Sequence, residues 1–287
     1  MKNSGLITQS YVNTFIKRRK QDIHKGDCGK ILIFAGSLGM SGAAVLCARA
    51  ALRTGAGLVR VSVPEMLFPI VQIGVPEATC ISRERLLEDL MQYSAIAIGP
   101  GLGVEKQDGL LIRKILETTD KPVILDADGL NLLRDDKDVM KNARADLIIT
   151  PHPGEAARLL GRKTADINMD RLKSARELAA VTGAITVLKG AGSVVATPEG
   201  KTYINTTGNP GIATGGSGDV LTGVITALSG QGLSSESAAK AGVYLHGLAG
   251  DLARDLKGEY GLIASDIVSM VPFAIKSILD AQGPLEK

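Results

Sequence analysis

A glycine-rich turn that leads into a single carboxylate is the strongest chemical signal in the sequence. The segment GGSG (215–218) directly precedes Asp219, and the apolar pattern that follows predicts a helix over residues 219–230. Glycines let backbone N–H groups approach an anion closely, and the positive end of a helix dipole strengthens that attraction. Because a carboxylate here repels an anion, Asp219 either caps the helix or acts as general base for a hydroxyl that attacks a bound phosphate. The two roles can coexist.

Further polar residues follow other apolar runs. Lys189 begins the turn KGAGS, which could contact the phosphates or ribose of a nucleotide or could be a plain surface turn. Asp126, Asp128 and Glu155 could hold Mg²⁺ through water, since magnesium keeps several waters when it bridges phosphates, although each Asp could equally cap a short helix. His152 lies between two prolines, where its imidazole either donates to a substrate or has a structural role.

Several common motifs are missing, and their absence excludes whole classes of enzyme. The sequence has no G-x-x-x-x-G-K-[ST], so a P-loop is excluded, and no G-x-S-x-G, which removes the usual nucleophile of α/β-hydrolases. Its first glycine turn, Gly36, Gly39 and Gly42, has the wrong spacing for G-x-G-x-x-G. A dinucleotide-binding oxidoreductase is therefore weakly supported.

Alternating strand-like and helix-like segments must position these residues. Strands are predicted at 30–36, 58–64, 95–101, 122–128, 146–151 and 184–190. Helices are predicted at 41–54, 105–118, 153–160, 168–182, 219–230, 234–256 and 265–281. A hairpin is predicted whose turn lies at 198–200. Most of the strands are nearly continuous in Val, Ile, Leu and Ala, as expected when both faces are covered. The order predicts an α/β fold with a mainly parallel sheet, in which ligands bind outside the carboxyl ends of the strands.

The composition is that of a globular protein with small-molecule partners. Of 287 residues, 34 are glycine, 45% are hydrophobic and 22% are charged. A net charge of +3 and only 3% aromatic residues argue against nucleic-acid binding. Three cysteines without a C-x-x-C pair indicate a reducing compartment, and neither a secretory signal nor a membrane segment is visible. We therefore expect a cytoplasmic protein with one domain over residues 1–287.

Eight motifs in a fixed order resemble those of a known family. They are KGDCGKILIFAGS, SGAA, GAGLVRVSVPE, GPGLG, LDADGLNLL, TPHPGEAARLLG, VLKGAGSVVA and GNPGIATGGSGDVLTG. From about Lys25 to Ser269 the chain resembles the NAD(P)H-hydrate dehydratases, a branch of the ribokinase-like superfamily. The resemblance implies a three-layer α/β/α fold and a repair reaction. In that reaction a nucleotide, with ADP favoured over ATP, and Mg²⁺ drive dehydration of the 6-hydroxylated hydrate of NADH or NADPH.

The same resemblance assigns roles to residues. Asp219 would be the catalytic base and Gly218 the centre of the anion hole. Residues expected to bind the nucleotide are Lys189, Gly190, Ala191, Gly192, Ser193, Asn209, Gly215, Gly216, Ser217 and Gly218. Those expected to contact the hydrate are Ala43, Gly103, His152 and Asp219. Glu155 would face magnesium, at the place where sugar kinases of the superfamily keep the Glu of Asn-x-x-Glu, but His152 replaces that Asn here.

Two further expectations concern partners. About 25 residues before the first motif cannot hold the epimerase domain that many bacterial members carry, so a separate epimerase is expected, and the resemblance suggests a homo-oligomer, a tetramer. The alternatives are a small-molecule kinase of the same fold, acting on a thiazole or pyrimidine alcohol, and a silent nucleotide-binding module. The segments GPGLG, TPHPGE and KGAGS suit a dinucleotide better than a compact alcohol, and a silent module would be expected to lack Asp219.

Overall fold

The computed structural model describes residues 4–88 and 90–283, and within these ranges ten strands form one sheet. The strands are β1 Ser4–Ile7, β2 Lys30–Phe34, β3 Leu58–Ser62, β4 Thr79–Ile81, β5 Ala95–Ile98, β6 Pro122–Leu125, β7 Asp146–Ile149, β8 Ile185–Leu188, β9 Val194–Ala196 and β10 Thr202–Asn205. Their order across the sheet is β1-β10-β9-β8-β7-β6-β5-β2-β3-β4. Only β9 runs antiparallel to its neighbours among the described pairs, which confirms the mainly parallel sheet.

Helices cover both faces of this sheet. They are α1 Gln9–Val12, α2 Ser41–Arg53, α3 Phe68–Gly74, α4 Lys106–Thr118, α5 Ala127–Leu133, α6 Lys137–Lys141, α7 Pro153–Leu160, α8 Thr164–Met169, α9 Arg171–Thr182, α10 Ser217–Gly230, α11 Ser235–Lys257 and α12 Ala264–Asp280. Short 3₁₀ turns, such as residues 83–85, join some of them.

The strand residues alternate between two apolar cores, which produces three layers. Leu32 and Phe34 of β2 pack into the core beneath α4 to α9, whereas Ile31 and Ile33 pack on the opposite face against α2. Ile124 of β6 also points to that opposite side, where α10, α11 and α12 complete the core. Both faces of the central strands are therefore dry, which is why the sequence shows continuous apolar runs there.

Each predicted strand and helix has a counterpart in the structure, but the boundaries differ, and further elements such as β1, β4, α3 and α6 were not predicted. Each of the six predicted strands ends earlier than expected, because its last residues form the turn that follows. The predicted strand 122–128, for example, stops at Leu125, and α5 starts at Ala127. The predicted helix 168–182 is two helices, because Asp170 leaves the helical conformation and its side chain caps α9 by accepting from the Lys173 N–H.

Three other expectations can be compared with the structure. The hairpin turn at 198–200 joins β9 to β10 as predicted. All three cysteines are free, Cys28 and Cys47 buried and Cys80 half-buried. Within the described ranges, none of the helices combines the length and the apolarity needed to cross a membrane.

Candidate active site

Polar groups from three separate elements meet at the carboxyl edge of the sheet. Lys189 follows β8 and donates from Nζ to Asp126 Oδ1, which follows β6, at 2.6 Å. The same Nζ lies 3.9 Å from Glu155 Oε2 at the start of α7. A Cβ placed on Gly218, in the first turn of α10, would stand 3.2 Å from it. The lysine ammonium therefore lies beside the glycine turn that the sequence singled out.

The start of α10 presents free backbone donors. Gly216 is the N-cap residue, with φ +89°, and the Ser217 N–H is already bonded to the Thr214 carbonyl at 3.3 Å. The N–H groups of Gly218 and Asp219 have no acceptor inside the helix, because the first turn of a helix leaves its donors unpaired. Together with the helix dipole and the Lys189 ammonium, they make this partly exposed position a candidate anion site.

Asp219 is the third residue of α10, so the expectation that it caps the helix is wrong: α10 begins at Ser217 and has no side-chain cap. Burial, together with the nearby carboxylates of Asp126 and Asp128, raises the pKa of Asp219 to about 7, although Lys189 opposes the shift. A carboxyl with a pKa near neutrality is well suited to accept a proton at physiological pH.

Asp126 is a bridge between elements. Its side chain is 1% exposed, and while Oδ1 accepts from Lys189, Oδ2 accepts from Thr222 Oγ1 at 2.8 Å. Thr222 lies one turn after Gly218, so a single carboxylate connects β6, β8 and α10. Burial lowers the pKa of Lys189, but Asp126 and Glu155 outweigh burial and raise it overall, which keeps the ammonium charged. Neither oxygen of Asp126 is left to cap α5.

Next to Asp126, the backbone is strained. Ala127 has φ +46°, and among the described residues it is the one non-glycine residue in the left-handed region. Such a conformation costs of order 1–3 kcal/mol and persists only where its surroundings impose it. Here the carbonyl of Asp126 abuts Gly99, where a Cβ would come within 1.8 Å. The glycine turn after β5 and the strained turn after β6 are therefore packed directly on each other.

His152 and Glu155 cap the helix α7 reciprocally. His152 Nδ1 accepts from the Gly154 N–H at 2.9 Å, and Glu155 Oε2 accepts from the His152 N–H at 2.7 Å. Burial and the nearby Lys189 lower the pKa of His152, which favours the neutral ring, while burial raises the pKa of Glu155. The half-exposed His152 ring keeps Nε2 at 3.4 Å from Glu155 Oε1.

The carboxylates do not form a metal cage. No group of three His, Cys, Asp or Glu side chains able to hold a metal occurs among the described residues. Each oxygen of Asp126 and of Asp128 already accepts a hydrogen bond, whereas Glu155 keeps one oxygen that accepts none from the described residues. This donor set fits Mg²⁺ as an ion carried mainly by phosphate oxygens and water. A magnesium role for Glu155 stays a prediction.

The backbone of the turn KGAGS is fixed by hydrogen bonds from an arginine that the sequence analysis did not single out. Arg171, the first residue of α9, donates to the carbonyl of Leu188 at 3.1 Å and to that of Ala191. Gly190 has φ +143°, and a Cβ there would come within 2.9 Å of the Arg171 guanidinium. Ser193 donates from Oγ to the Gly190 carbonyl at 3.0 Å. The backbone of residues 189–193 thus has a defined shape before any nucleotide binds.

The side chains of Asn209 and Ser217 form hydrogen bonds within the protein. Asn209 accepts from the Gly211 N–H and donates to Asp251 Oδ1, both at 2.9 Å, so it shapes the loop before α10. The Ser217 hydroxyl lies 3.2 Å from His246 Nε2, which also lies 3.0 Å from the Ser217 carbonyl. Burial lowers the pKa of His246 to about 4, so the ring is neutral. Nucleotide contacts at these two positions stay predictions.

The positions expected to contact the hydrate lie on two touching turns. A Cβ on Gly101 would come within 2.8 Å of the Ala43 Cβ, which places the first turn of α2 against the turn after β5. The Gly103 N–H donates to Asp128 Oδ2 at 2.9 Å. The half of the site at β2 and β5 and the half at β8 and α10 therefore meet at the turn of Asp126 and Asp128.

Several residues that build the site were missed by sequence reasoning. They are Thr222, His246, Arg171, Asp251, Arg83 and Asp108. Each lies inside a helix or at its start, and its partner is distant in sequence, so no local motif announces it. They could have been identified only from knowledge of which strand ends lie next to each other in the fold.

Known proteins resemble this chain over most of its length. The sequence profile of a family described as NAD(P)H-hydrate dehydratase matches residues 31–272. An ADP-dependent (S)-NAD(P)H-hydrate dehydratase from Neisseria meningitidis is 43% identical, over 88% of this chain and 86% of its own. A bifunctional NAD(P)H-hydrate repair enzyme from Moorella thermoacetica is 42% identical, over 96% of this chain and 54% of its own. The chain spans about half the length of such bifunctional relatives.

Solved structures agree with the sequence relatives. An ADP/ATP-dependent NAD(P)H-hydrate dehydratase from Bacillus subtilis, co-crystallised with ATP/Mg²⁺, superposes with a TM-score of 0.87 at 33% identity, covering 97% of this chain and 100% of that one. A ribokinase-like superfamily protein from Enterococcus faecalis has a TM-score of 0.86 at 25% identity, and the match covers 97% of this chain and 98% of that one. The expected ribokinase-like architecture is confirmed. By profile, by sequence and by structure, the chain belongs to the NAD(P)H-hydrate dehydratase family.

Proposed function

We propose that this protein uses a nucleotide, ADP in preference to ATP, to dehydrate the 6-hydroxylated hydrate of NADH and NADPH and so restores the functional cofactor. One observation carries the proposal: the Asp219 carboxyl, with a pKa near 7, lies in the same helical turn as the free Gly218 N–H, beside the Lys189 ammonium. A base, an anion hole and a cation at one point are what transfer of a phosphoryl group to a hydroxyl requires.

In the first step the hydroxyl of the hydrate becomes a phosphate ester. Asp219 accepts the hydroxyl proton while the oxygen forms a bond to the terminal phosphorus of the nucleotide. The bond from that phosphorus to the bridging oxygen breaks, so ADP leaves as AMP. Negative charge that grows on the transferred group is stabilised by the Gly218 and Asp219 N–H groups and by Lys189, which are in place beforehand.

In the second step the ester loses phosphate. Water has a pKa of about 15.7, so hydroxide is a poor leaving group, whereas the second pKa of a phosphate is about 6. The C–O bond therefore breaks readily, with its electron pair leaving on phosphate. The neighbouring ring carbon gives a proton to water or to the departing phosphate, and the electron pair of that C–H bond restores the double bond of the reduced nicotinamide. Phosphorylation thus converts a slow dehydration into an easy elimination.

Other assignments complete the proposal. The nucleotide lies along residues 189–193 and the loop from Asn209 to Gly218, and the hydrate contacts Ala43, Gly103 and His152. Mg²⁺ bound to the nucleotide would neutralise phosphate charge, with Glu155 facing it through water. A tetramer of this chain and an epimerase that acts on the same hydrate are the partners we propose.

The test is a spectroscopic assay with the purified protein. Hydrated NADH is mixed with Mg²⁺ and either ADP or ATP, and the absorbance of reduced nicotinamide is followed. We expect recovery with both nucleotides, faster with ADP, and none without nucleotide. Absence of recovery with either nucleotide would contradict the proposal. A kinase for a thiazole or pyrimidine alcohol would instead consume nucleotide with those alcohols and leave the hydrate unchanged.

A further inference from the structure

Arg83 is a buried cation between the two glycine turns of the hydrate half of the site. It follows β4, and its side chain is 14% exposed. Its Nη2 donates to the Gly36 carbonyl at 2.6 Å and to the Leu102 carbonyl at 3.2 Å, so one nitrogen joins the turn after β2 to the turn after β5. Of the residues expected to contact the hydrate, Gly103 directly follows Leu102 in sequence. Ala43 lies in the first turn of α2 beside Ala44, whose Cβ would be 3.0 Å from a Cβ on Gly36.

Asp108 holds the guanidinium in this position. It lies in the first turn of α4 with a side chain 3% exposed, and its Oδ2 accepts from Arg83 Nη1 at 2.5 Å. The guanidinium also lies 5.6 Å from the centre of the Phe34 ring. A planar guanidinium can serve a carboxylate and two carbonyls at once, whereas a lysine ammonium lacks the fork that fits them.

Other contacts between the same turns are local and weaker. The Gly36 N–H donates to the Pro100 carbonyl at 2.8 Å, and Ser37 Oγ donates to the Gly101 carbonyl at 2.9 Å. Both bonds join the turns to each other without connecting them to the layer of helices below. Arg83 and Asp108 supply that connection, because Arg83 lies in the 3₁₀ turn after β4 and its partner Asp108 lies in α4.

We propose that Arg83, oriented by Asp108, is a positioning residue that sets the distance between the turns after β2 and β5 and thereby the affinity of the site for the hydrated dinucleotide. This inference rests on the proposed function. The nucleotide residues lie on the other side of Asp126 in the sheet, at β8 and α10, so binding of ADP does not depend on Arg83.

The variants that test this are Arg83→Lys, the control Arg85→Lys and the pair Arg83→Met with Asp108→Leu. Arg85 lies in the same 3₁₀ turn, but its side chain is 66% exposed and pairs with Glu88. Arg83→Lys keeps the charge opposite Asp108. Replacing both partners by apolar side chains leaves no unpaired buried charge, so the fold is expected to survive. Thermal unfolding checks that it does.

We expect Arg83→Lys and the double variant to raise the KM for the hydrate by about ten-fold or more, because neither variant keeps the planar fork that joins both carbonyls to Asp108. The KM for ADP stays within about two-fold of wild type, and Arg85→Lys changes neither constant. A KM for the hydrate that stays within about two-fold in both Arg83 variants, or an equal rise in both KM values, overturns the inference. A wild type that does not dehydrate the hydrate overturns the proposed function and this inference together.

Discussion

The Asp219 carboxylate is held where a negative charge is costly. Burial and two neighbouring carboxylates raise its pKa, and only Lys189 opposes them. No hydrogen bond to this carboxylate is formed by the residues that the structure describes. A surface carboxylate of ordinary pKa would be a weak proton acceptor at pH 7 because a good base needs a pKa close to the working pH. The surroundings that make Asp219 a better base at neutral pH therefore also lower the stability of the folded protein when this carboxyl is charged.

Asp219→Asn should abolish turnover while nucleotide binding persists. The amide keeps the shape of the side chain and leaves the Gly218 N–H in place but cannot accept the hydroxyl proton. We expect kcat to fall by about 100-fold or more, since general-base catalysis contributes about 10²–10⁴-fold, and the Kd for ADP to stay within about three-fold. Asp120→Asn, at an exposed position before β6, is the matched control. Near-normal turnover of Asp219→Asn would contradict the assignment of the base.

The pH dependence follows from the same pKa. As the proposed base, Asp219 must be deprotonated, so kcat/KM should rise between about pH 6 and pH 8 and level off above the pKa of about 7. Folding responds in the opposite direction. A pKa raised above the usual 3.8 means that the folded state gains stability from the proton, and this gain is lost as the pH rises from about 4 to about 7.

Asp219→Asn removes that loss. We expect its free energy of unfolding at pH 8 to exceed that of the wild type by about 1–3 kcal/mol, with a smaller difference at pH 4. Denaturant unfolding at both pH values measures it. A flat kcat/KM profile between pH 6 and 8 together with equal stabilities would show that the carboxyl has an ordinary pKa.

Residues of this site differ in how far the sequence reveals them. Asp219 and Lys189 are visible because glycines beside them mark a turn that approaches a ligand. The bonds that orient Lys189 are not visible in the sequence. Asp126 lies 63 positions from Lys189, and Thr222 lies 96 positions from Asp126. For Asp126 the sequence leaves a cap or a magnesium ligand open, and only the tertiary structure reveals the salt bridge.

At the scale of elements, the start of α10 depends on one glycine. Gly216 has φ +89°, and a Cβ there would lie 2.5 Å from Leu46 Cδ1 and 3.1 Å from the Ala264 Cβ. Gly215, its neighbour, has open space around its Cβ direction. The N-terminus of α10 therefore packs tightly against α2 and α12 at Gly216. This packing fixes the direction in which its unpaired N–H groups point.

Gly216→Ala should distort this helix start. We expect a loss of about 1–3 kcal/mol in the free energy of unfolding, from the left-handed backbone and the clash with Leu46. ADP should also bind at least several-fold more weakly. Gly215→Ala is the matched control for stability and should change it by less than about 1 kcal/mol. Equal stability of the two variants in denaturant titrations would show that Gly216 is not conformationally required.

The elements that the sequence predicted well are those whose periodicity reflects burial. Central strands such as β6 are covered on both faces and read as continuous apolar runs. Strand β1 at the sheet edge was missed, because only Ile7 of its four residues is buried. The break between α8 and α9 was also missed, since a capping Asp170 looks like any surface aspartate within a helical pattern.

At the scale of the molecule, the site adds polar contacts between the sheet and the helix layer that packs on it. Asp126 and Lys189 belong to neighbouring parts of the sheet, and Thr222 and Gly218 belong to α10, which packs in the core formed with α11 and α12. The half of the site expected to bind the hydrate lies at β2 and β5, and the half expected to bind the nucleotide lies at β8 of the same sheet. A nucleotide bound across Lys189 and Gly218 would therefore add contacts between the sheet and a helix layer, and its binding should raise the stability of the whole fold.

Thermal or denaturant unfolding with and without ADP tests this coupling. For the wild type, ADP at 100 times its Kd should add about 2.7 kcal/mol to the free energy of unfolding, as mass action requires when only the folded state binds. Lys189→Ala should lose about 3–5 kcal/mol without ligand, because it leaves the Asp126 carboxylate buried and unpaired. At the same ADP concentration this variant should regain less than half of the wild-type increment. Lys201→Ala, in the exposed hairpin turn, controls for loss of a positive charge. An undiminished ADP increment in Lys189→Ala would mean that the ammonium does not contribute to nucleotide binding and that the anion site consists of backbone donors alone.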